Sequence, residues 1–148
     1  MLELAKLDQL LAAMPPVAAM AIRSESFDGE ELRLHAPLSA NVNDKDCAFG
    51  GSLASVMTLP GWGWLMLQSG RAGYPADVYV ADSQIRYLAP LFGDLRATAR
   101  LAEGEDWSMV LRTLAQRGRA RVAMQAQVVA EDGTPVATLA ARFALKRA

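Results

Sequence analysis

Apolar residues fall at helical spacing in the first stretch of this chain. Leu4, Leu7, Leu11 and Met14 share one face of residues 2–14, with Glu3, Lys6 and Gln9 elsewhere. That pattern predicts a short amphipathic helix, stopped by Pro15-Pro16. Val17 to Ser26 reads as a strand, Asp28-Gly29 as a tight turn, and Glu30 to Pro37 as the return strand. On the return strand Leu32, Leu34 and Ala36 share one face, and Glu31, Arg33 and His35 the other. This is a hairpin with one wet side.

The pattern then changes. The polar stretch Asn41 to Ala48 turns through Phe49-Gly50-Gly51-Ser52 into a segment that reaches Ser69 without a charge. A helix apolar on all sides must be enclosed by protein or by lipid. Pro60 and several glycines interrupt the run, no Lys/Arg cluster flanks it, and both neighbours read as strands, so protein is the enclosure. One stripe is mostly small (Gly51, Ala54, Ser55, Thr58, Gly61, Trp62) and invites close approach of another backbone. The other carries Leu53, Val56, Met57, Trp64 and Leu67 as core bulk. Pro60 crowds the carbonyl of Val56, so a kink or break is expected there, at a cost of about 3 kcal/mol in a helix interior.

Beyond the helix, Val78 to Leu88 is a strand with apolar groups on both faces, either covered on both sides or placed at a subunit contact. Leu95, Ala97, Ala99 and Leu101 alternate with Arg96, Thr98 and Arg100. Trp107, Val110, Leu111 and Leu114 fit a short crossing helix. In Arg119 to Val129, Ala120, Val122, Met124, Ala126 and Val128 face inward. The last strand buries Ala137, Leu139, Ala141, Phe143 and Leu145. The parity of these two strands sets Arg119, Arg121, Arg142 and Lys146 on one outer face. The sum is an α+β architecture, an antiparallel sheet wrapped around a long central apolar helix.

At 148 residues the expectation is one domain, 1–148, with no repeat or linker. A net charge of −1 gives no reason to expect nucleic-acid binding. A single cysteine, Cys47, and an acidic N-terminus without a leader pattern point to the cytoplasm. One His and one Cys hold no metal, and no cofactor is implied.

The ordered set of Asn43 in its Asn-rich loop, Phe49-Gly50-Gly51-Ser52, Gly61-Trp62-Gly63, Ile85-Arg86-Tyr87-Leu88-Ala89-Pro90 and Arg117-Gly118-Arg119-Ala120-Arg121 resembles a family of hotdog-fold thioesterases. That domain also occurs fused behind acetyltransferase-like domains in bacteria. The resemblance covers nearly the whole chain. It implies a hotdog fold, a homo-oligomer (dimer or tetramer), and hydrolysis of an acyl thioester of coenzyme A or acyl carrier protein. The alternative is a non-catalytic acyl-thioester-binding module, accessory or regulatory.

In the broader class an Asn stands six residues before a His-Gly-Gly motif. Asn43 takes that position, Phe49 replaces the His, and Gly50 matches the glycine whose N–H polarises the thioester carbonyl. The carboxylate expected further along the helix is replaced by Thr58, which is no base at neutral pH. Two departures from the pattern therefore weigh against turnover.

A helix N-terminus offers free N–H groups and a favourable dipole end, and Gly50 and Gly51 allow close approach. Asn43 either orients water or carbonyl, or bonds its own turn. Asp44 and Asp46 are the nearest acids, read as base or as solvated loop groups. Asp82 sits mid-strand and is expected to pair with Arg86. Phe49, Gly51, Ser52, Thr58, Asp82, Arg86 and Tyr87 are the expected substrate-binding residues. Ser52, Ser55 and Thr58 have no His or Lys partner and read by default as small polar packing. His35 reads as a surface residue, Cys47 as a passive loop thiol, and Phe49, Trp62 and Trp64 as tunnel lining or core. Arg86, Arg96, Arg100, Arg119 and Arg121 are solvated face charges or phosphate contacts.

Overall fold

The computed structural model describes residues 3–148. The first apolar periodicity forms helix α1 (Leu4–Ala13), with Leu7 and Leu11 fully buried; Leu2, included in the predicted helix, lies outside the described residues. Pro15-Pro16 does more than stop it. The two prolines open a second helix, α2 (Pro15–Met20), where a missing N–H is harmless and the fixed φ suits a first turn. The strand expected from Val17 is therefore helix at its start. Ala21, at φ 54°, ends α2, and strand β1 is confined to Arg23–Phe27. Strand β2 (Leu32–Ala36) returns with the predicted faces. Between them Asp28 Oδ1 accepts the N–H groups of Glu30 and Glu31 at 2.8 and 2.7 Å.

The uncharged segment is one helix, α3 (Gly50–Arg71), which runs unbroken through Pro60. The predicted break is absent: Pro60 is itself buried, and five strands pack against α3. Strand β3 (Ala76–Tyr87) follows α3, then β4 (Leu95–Leu101), helix α4 (Trp107–Arg117), β5 (Arg119–Val129) and β6 (Pro135–Arg147). Helix α3 packs on β2, β3, β4, β5 and β6. Its bulky residues Leu53, Val56, Met57, Trp64 and Leu67 are buried as expected. Helix and sheet approach closely at Gly63, where a Cβ would stand 2.9 Å from Leu32 Cδ2. The small stripe divides: Gly61 is buried, with Phe143 3.1 Å from where its Cβ would stand, and Trp62 is half-buried, whereas Gly51 is exposed and Ala54, Ser55 and Thr58 are half-buried.

All strand pairs are antiparallel, in the order β1-β2-β4-β5-β6-β3. Asp106 caps α4, accepting from Ser108 N at 3.0 Å, and Val110 and Leu114 are buried. Trp107 meets Trp64 edge to face with centroids 5.1 Å apart, and Trp64 Nε1 donates to Glu30 O at 3.1 Å. Trp64 is thus core, far from the first turn of α3. The outer faces of β5 and β6 carry Arg119, Arg121, Arg142 and Lys146, all exposed.

Double coverage of β3 is not found. From Tyr79 to Tyr87 both faces are exposed, with Ile85 half-buried, and among the described residues β3 pairs with β6 alone. A sheet curled around a long apolar helix is the hotdog arrangement, with one long strand edge left open. Among the described residues no helix is long and apolar enough to cross a membrane.

Candidate functional site at the first turn of the central helix

Phe49 is the N-cap of α3, with extended backbone (φ −65°, ψ 133°), and no side chain caps the helix. The N–H groups of Gly50, Gly51 and Ser52 have no acceptor among the described residues. These are the donors that a helix start leaves unpaired, at its positive end. The loop before them is pinned by its backbone. Phe49 N donates to Asn41 O at 2.7 Å, Ala48 N to Leu91 O at 2.8 Å, and Asn43 N to Cys47 O at 2.8 Å.

Asn41 is the anchor that the sequence pattern did not single out. It is 3% exposed, and its Nδ2 donates to Met20 O at 2.9 Å and Pro37 O at 2.7 Å. Its Oδ1 is buried without a partner among the described residues. Its place in Asn41-Val42-Asn43 offered one signal: alternate polar residues around an exposed Val42.

Asn43 is half-buried and turned into its own loop. Oδ1 accepts from Lys45 N at 2.7 Å and Cys47 N at 3.2 Å, and Nδ2 donates to Cys47 Sγ at 3.3 Å. Both acceptor sites are occupied; one N–H remains to donate. Asp44 and Asp46 are exposed. Asp44 bonds Lys45 Nζ at 3.2 Å, and Asp46 sits at φ 62°, in the left-handed region. Neither carboxylate bonds the first turn. Cys47 is buried within this loop.

Two aromatic rings flank the first turn. The Tyr87 hydroxyl donates to Gly50 O at 3.2 Å, and its ring lies 3.7 Å from where a Gly50 Cβ would stand. The Phe49 ring folds over Gly51, 2.5 Å from the corresponding Cβ position. Only glycine leaves that place free. Both rings are exposed, as are Val42, Leu88 and Phe92 nearby in the chain. Ser52 is buried, and Thr58 Oγ1 donates to Ala54 O at 2.8 Å, one turn back on α3.

Asp82 and Arg86 do not pair. Register sets Asp82 opposite Arg142, and Arg142 Nε donates to both carboxylate oxygens at 3.0 and 3.1 Å. Those bonds hold the Asp82 carboxyl below its ordinary pKa. Both lie on the outer face with Arg86, across the sheet from α3. His35 is half-exposed, its Nε2 2.9 Å from Asp94 Oδ2. The Asp94 carboxyl is held below its ordinary pKa by the Leu38 N–H and then by His35. No cluster of metal ligands occurs among the described residues.

The first turn thus presents oriented amide donors and two aromatic walls, with no acid or imidazole bonded to it among the described residues. It can hold an oxygen on which negative charge develops. Three solved structures share its frame. A "putative thioesterase" from Shewanella oneidensis is 30% identical, with 98% of this chain and 97% of that one aligned at a TM-score of 0.85. A protein of unknown function from Chlorobaculum tepidum is 27% identical over 97% and 94%, at 0.90. One from Pseudomonas aeruginosa is 27% identical over 99% and 97%, at 0.82. The family model described as "Putative thioesterase (yiiD_Cterm)" matches residues 4–147, nearly every residue described above, and the chain belongs to that thioesterase family.

Proposed function

We propose that the chain hydrolyses acyl thioesters at the first turn of α3. The observation that carries this reading is the uncapped start of α3, with the amides of Gly50 and Gly51 free to receive the thioester oxygen. Losing one well-placed donor of this kind raises a barrier by about 3–4 kcal/mol. Asn43 contributes its one free N–H, to the carbonyl or to the attacking water, and cannot take a proton because a carboxamide is no base at neutral pH. The proton passes to Asp44 or Asp46, the nearest acids along the loop, or to solvent. Phe49, Gly51, Ser52, Thr58 and Tyr87 line the acyl thioester. The carrier is coenzyme A or acyl carrier protein, and Arg86, exposed near the end of β3 on its outer face, is a candidate contact for its phosphate.

The working unit is a homodimer in the cytoplasm. An edge as long as β3 is a liability that self-pairing removes. Such pairing would also cover the exposed Tyr79, Val80 and Tyr87 and the open small stripe of α3.

Thiol release from acyl-CoAs of short, long and aromatic acyl groups tests the activity, with Asn43→Ala and Tyr87→Ala alongside. Release well above background on one acyl class, reduced in both variants, is the expected result. A second reading has its own support: nothing that could act as a base bonds the first turn. Saturable acyl-thioester binding with no release from any substrate would make the chain a binding module.

A further inference from the structure

Cations on the outer face of the sheet fall into two sets. On β4 they are paired: Arg96 Nε lies 3.0 Å from Glu25, and an Arg100 amino nitrogen 3.2 Å from Glu31. On β5 and β6 most are not. Among the described residues Arg119, Arg121 and Lys146 are exposed and have no acid within ion-pair distance; Arg142 has Asp82. Register packs them together, with Arg119 opposite Lys146, Arg121 opposite Ala144 and Ala123 opposite Arg142. Same-face neighbours on one strand are about 7 Å apart and adjacent strands about 4.8 Å. Like charges directly opposite one another destabilise a sheet. A chain whose net charge is −1 has concentrated them here all the same. An anionic partner relieves that repulsion.

The patch is punctuated by acid. Asp77 stands opposite Lys146 and Asp82 opposite Arg142 on β3. A continuous phosphate chain or an anionic lipid surface would meet both carboxylates. A folded protein with discrete carboxylates can match the cations and avoid the acids. We propose that this face docks an acidic protein, the carrier that brings the acyl group on a flexible thiol-bearing arm.

The identity of the partner rests on the thioesterase reading; the docking face does not. The two fit together through β3. If two copies pair antiparallel along that edge, the start of one β3 lies beside the end of the other. The basic outer face of the other subunit then lies near the Tyr87 end of β3, on the side of the sheet opposite the one where the Tyr87 ring meets the first turn of α3. The carrier would grip the outer face of one subunit while its flexible arm reaches round the end of β3 to the site of the other.

The test is the full chain carrying Arg119→Glu and Arg121→Glu. One probe is fluorescein-labelled bacterial acyl carrier protein, followed by anisotropy at low and high salt. The other is one acyl group presented on that carrier and on N-acetylcysteamine, which has neither protein nor phosphate. The double variant should weaken carrier binding about tenfold or more. It should lower kcat/KM for the carrier thioester by a similar factor, with the melting temperature and the N-acetylcysteamine reaction unchanged. Arg119→Gln with Arg121→Gln should fall between. Unchanged carrier binding, or equal loss on the small thioester, overturns the proposal. So does duplex DNA or an anionic phosphatidylserine vesicle that competes as well as the carrier. Patch-dependent carrier binding without any turnover keeps the docking face and sinks the thioesterase reading. Turnover of the small thioester with no carrier binding does the reverse.

Discussion

The Tyr87 hydroxyl reaches the Gly50 carbonyl at 3.2 Å, so the last residue of the edge strand touches the first residue of the central helix. Thirty-seven residues separate them along the chain. The contact joins the open edge of the sheet to the unpaired amides, and it makes the site sensitive to anything that shifts β3.

Tyr87→Phe keeps the ring and removes one exposed, neutral hydrogen bond. The expected loss of stability is about 1 kcal/mol or less by denaturant titration. Tyr87→Ala also removes the wall beside Gly50, and KM for the acyl thioester should rise. If both variants matched the wild type in KM, Tyr87 would have no part in the site.

Two glycines on α3 separate site from core. A Cβ at Gly63 would press on Leu32 and Leu7, both fully buried, with no room to yield. Gly63→Ala should therefore destabilise by about 1–3 kcal/mol. A Cβ at Gly51 meets only the Phe49 ring, which is exposed and free to swing away. Gly51→Ala should leave the melting temperature nearly unchanged or raise it, because alanine favours the helix by about 1 kcal/mol. Any thioester turnover should fall nonetheless as the ring moves.

Asn41→Ala tests the anchor. It removes two hydrogen bonds and leaves the Met20 carbonyl without this donor, while the Pro37 carbonyl keeps the Ala40 N–H, so a loss of about 1–3 kcal/mol is expected. Asn43→Ala should cost less than Asn41→Ala, since its bonds stay within one half-exposed loop. Equal losses in urea titrations of the two variants would contradict this ordering.

Val80 is half exposed on the free strand β3, so Val80→Glu should fold as the wild type does. In a dimer paired along β3 it would bring two carboxylates together. Sedimentation velocity should show the wild type as a dimer and the variant shifted toward monomer. A monomeric wild type would remove the partner subunit from the reading of the site.

Acid stability follows from four aspartates. Hydrogen bonds hold the carboxyls of Asp28, Asp82, Asp94 and Asp132 below the ordinary value of 3.8 in the folded chain. A depressed folded pKa stabilises the fold above the unfolded value and is lost as pH falls through the folded one. Stability should thus hold level down to about pH 4 on this account and decline below it. Asp82→Asn should flatten part of that decline, and high salt should weaken it, since Asp82 is exposed.

Patterning along the chain was enough for much of the fold. The charge-free run to Ser69 required an enclosed helix, and α3 is that helix. Strict alternation in β5 and β6 assigned Val122, Met124, Leu139 and Phe143 to the core and Arg119, Arg121 and Lys146 to the surface. Both results have one cause: periodicity records which side of an element meets water. The Asn-rich loop and the Phe-Gly-Gly turn likewise marked where the helix starts.

Tertiary structure alone decided what lies across from what. Asp82 faces Arg142, sixty residues on, because β3 pairs with β6, and register rather than spacing along the strand chooses cross-strand partners. Pro60 breaks no helix because five strands hold α3 in place around it. Pro15-Pro16 begins a helix because φ near −65° serves a first turn as well as an end. Asn41 draws its importance from carbonyls on two other segments, and the first turn of α3 keeps its amides free because, among the described residues, no side chain folds back to cap it. These are contacts between distant segments, and hydrophobic pattern carries no information about them beyond which residues are buried.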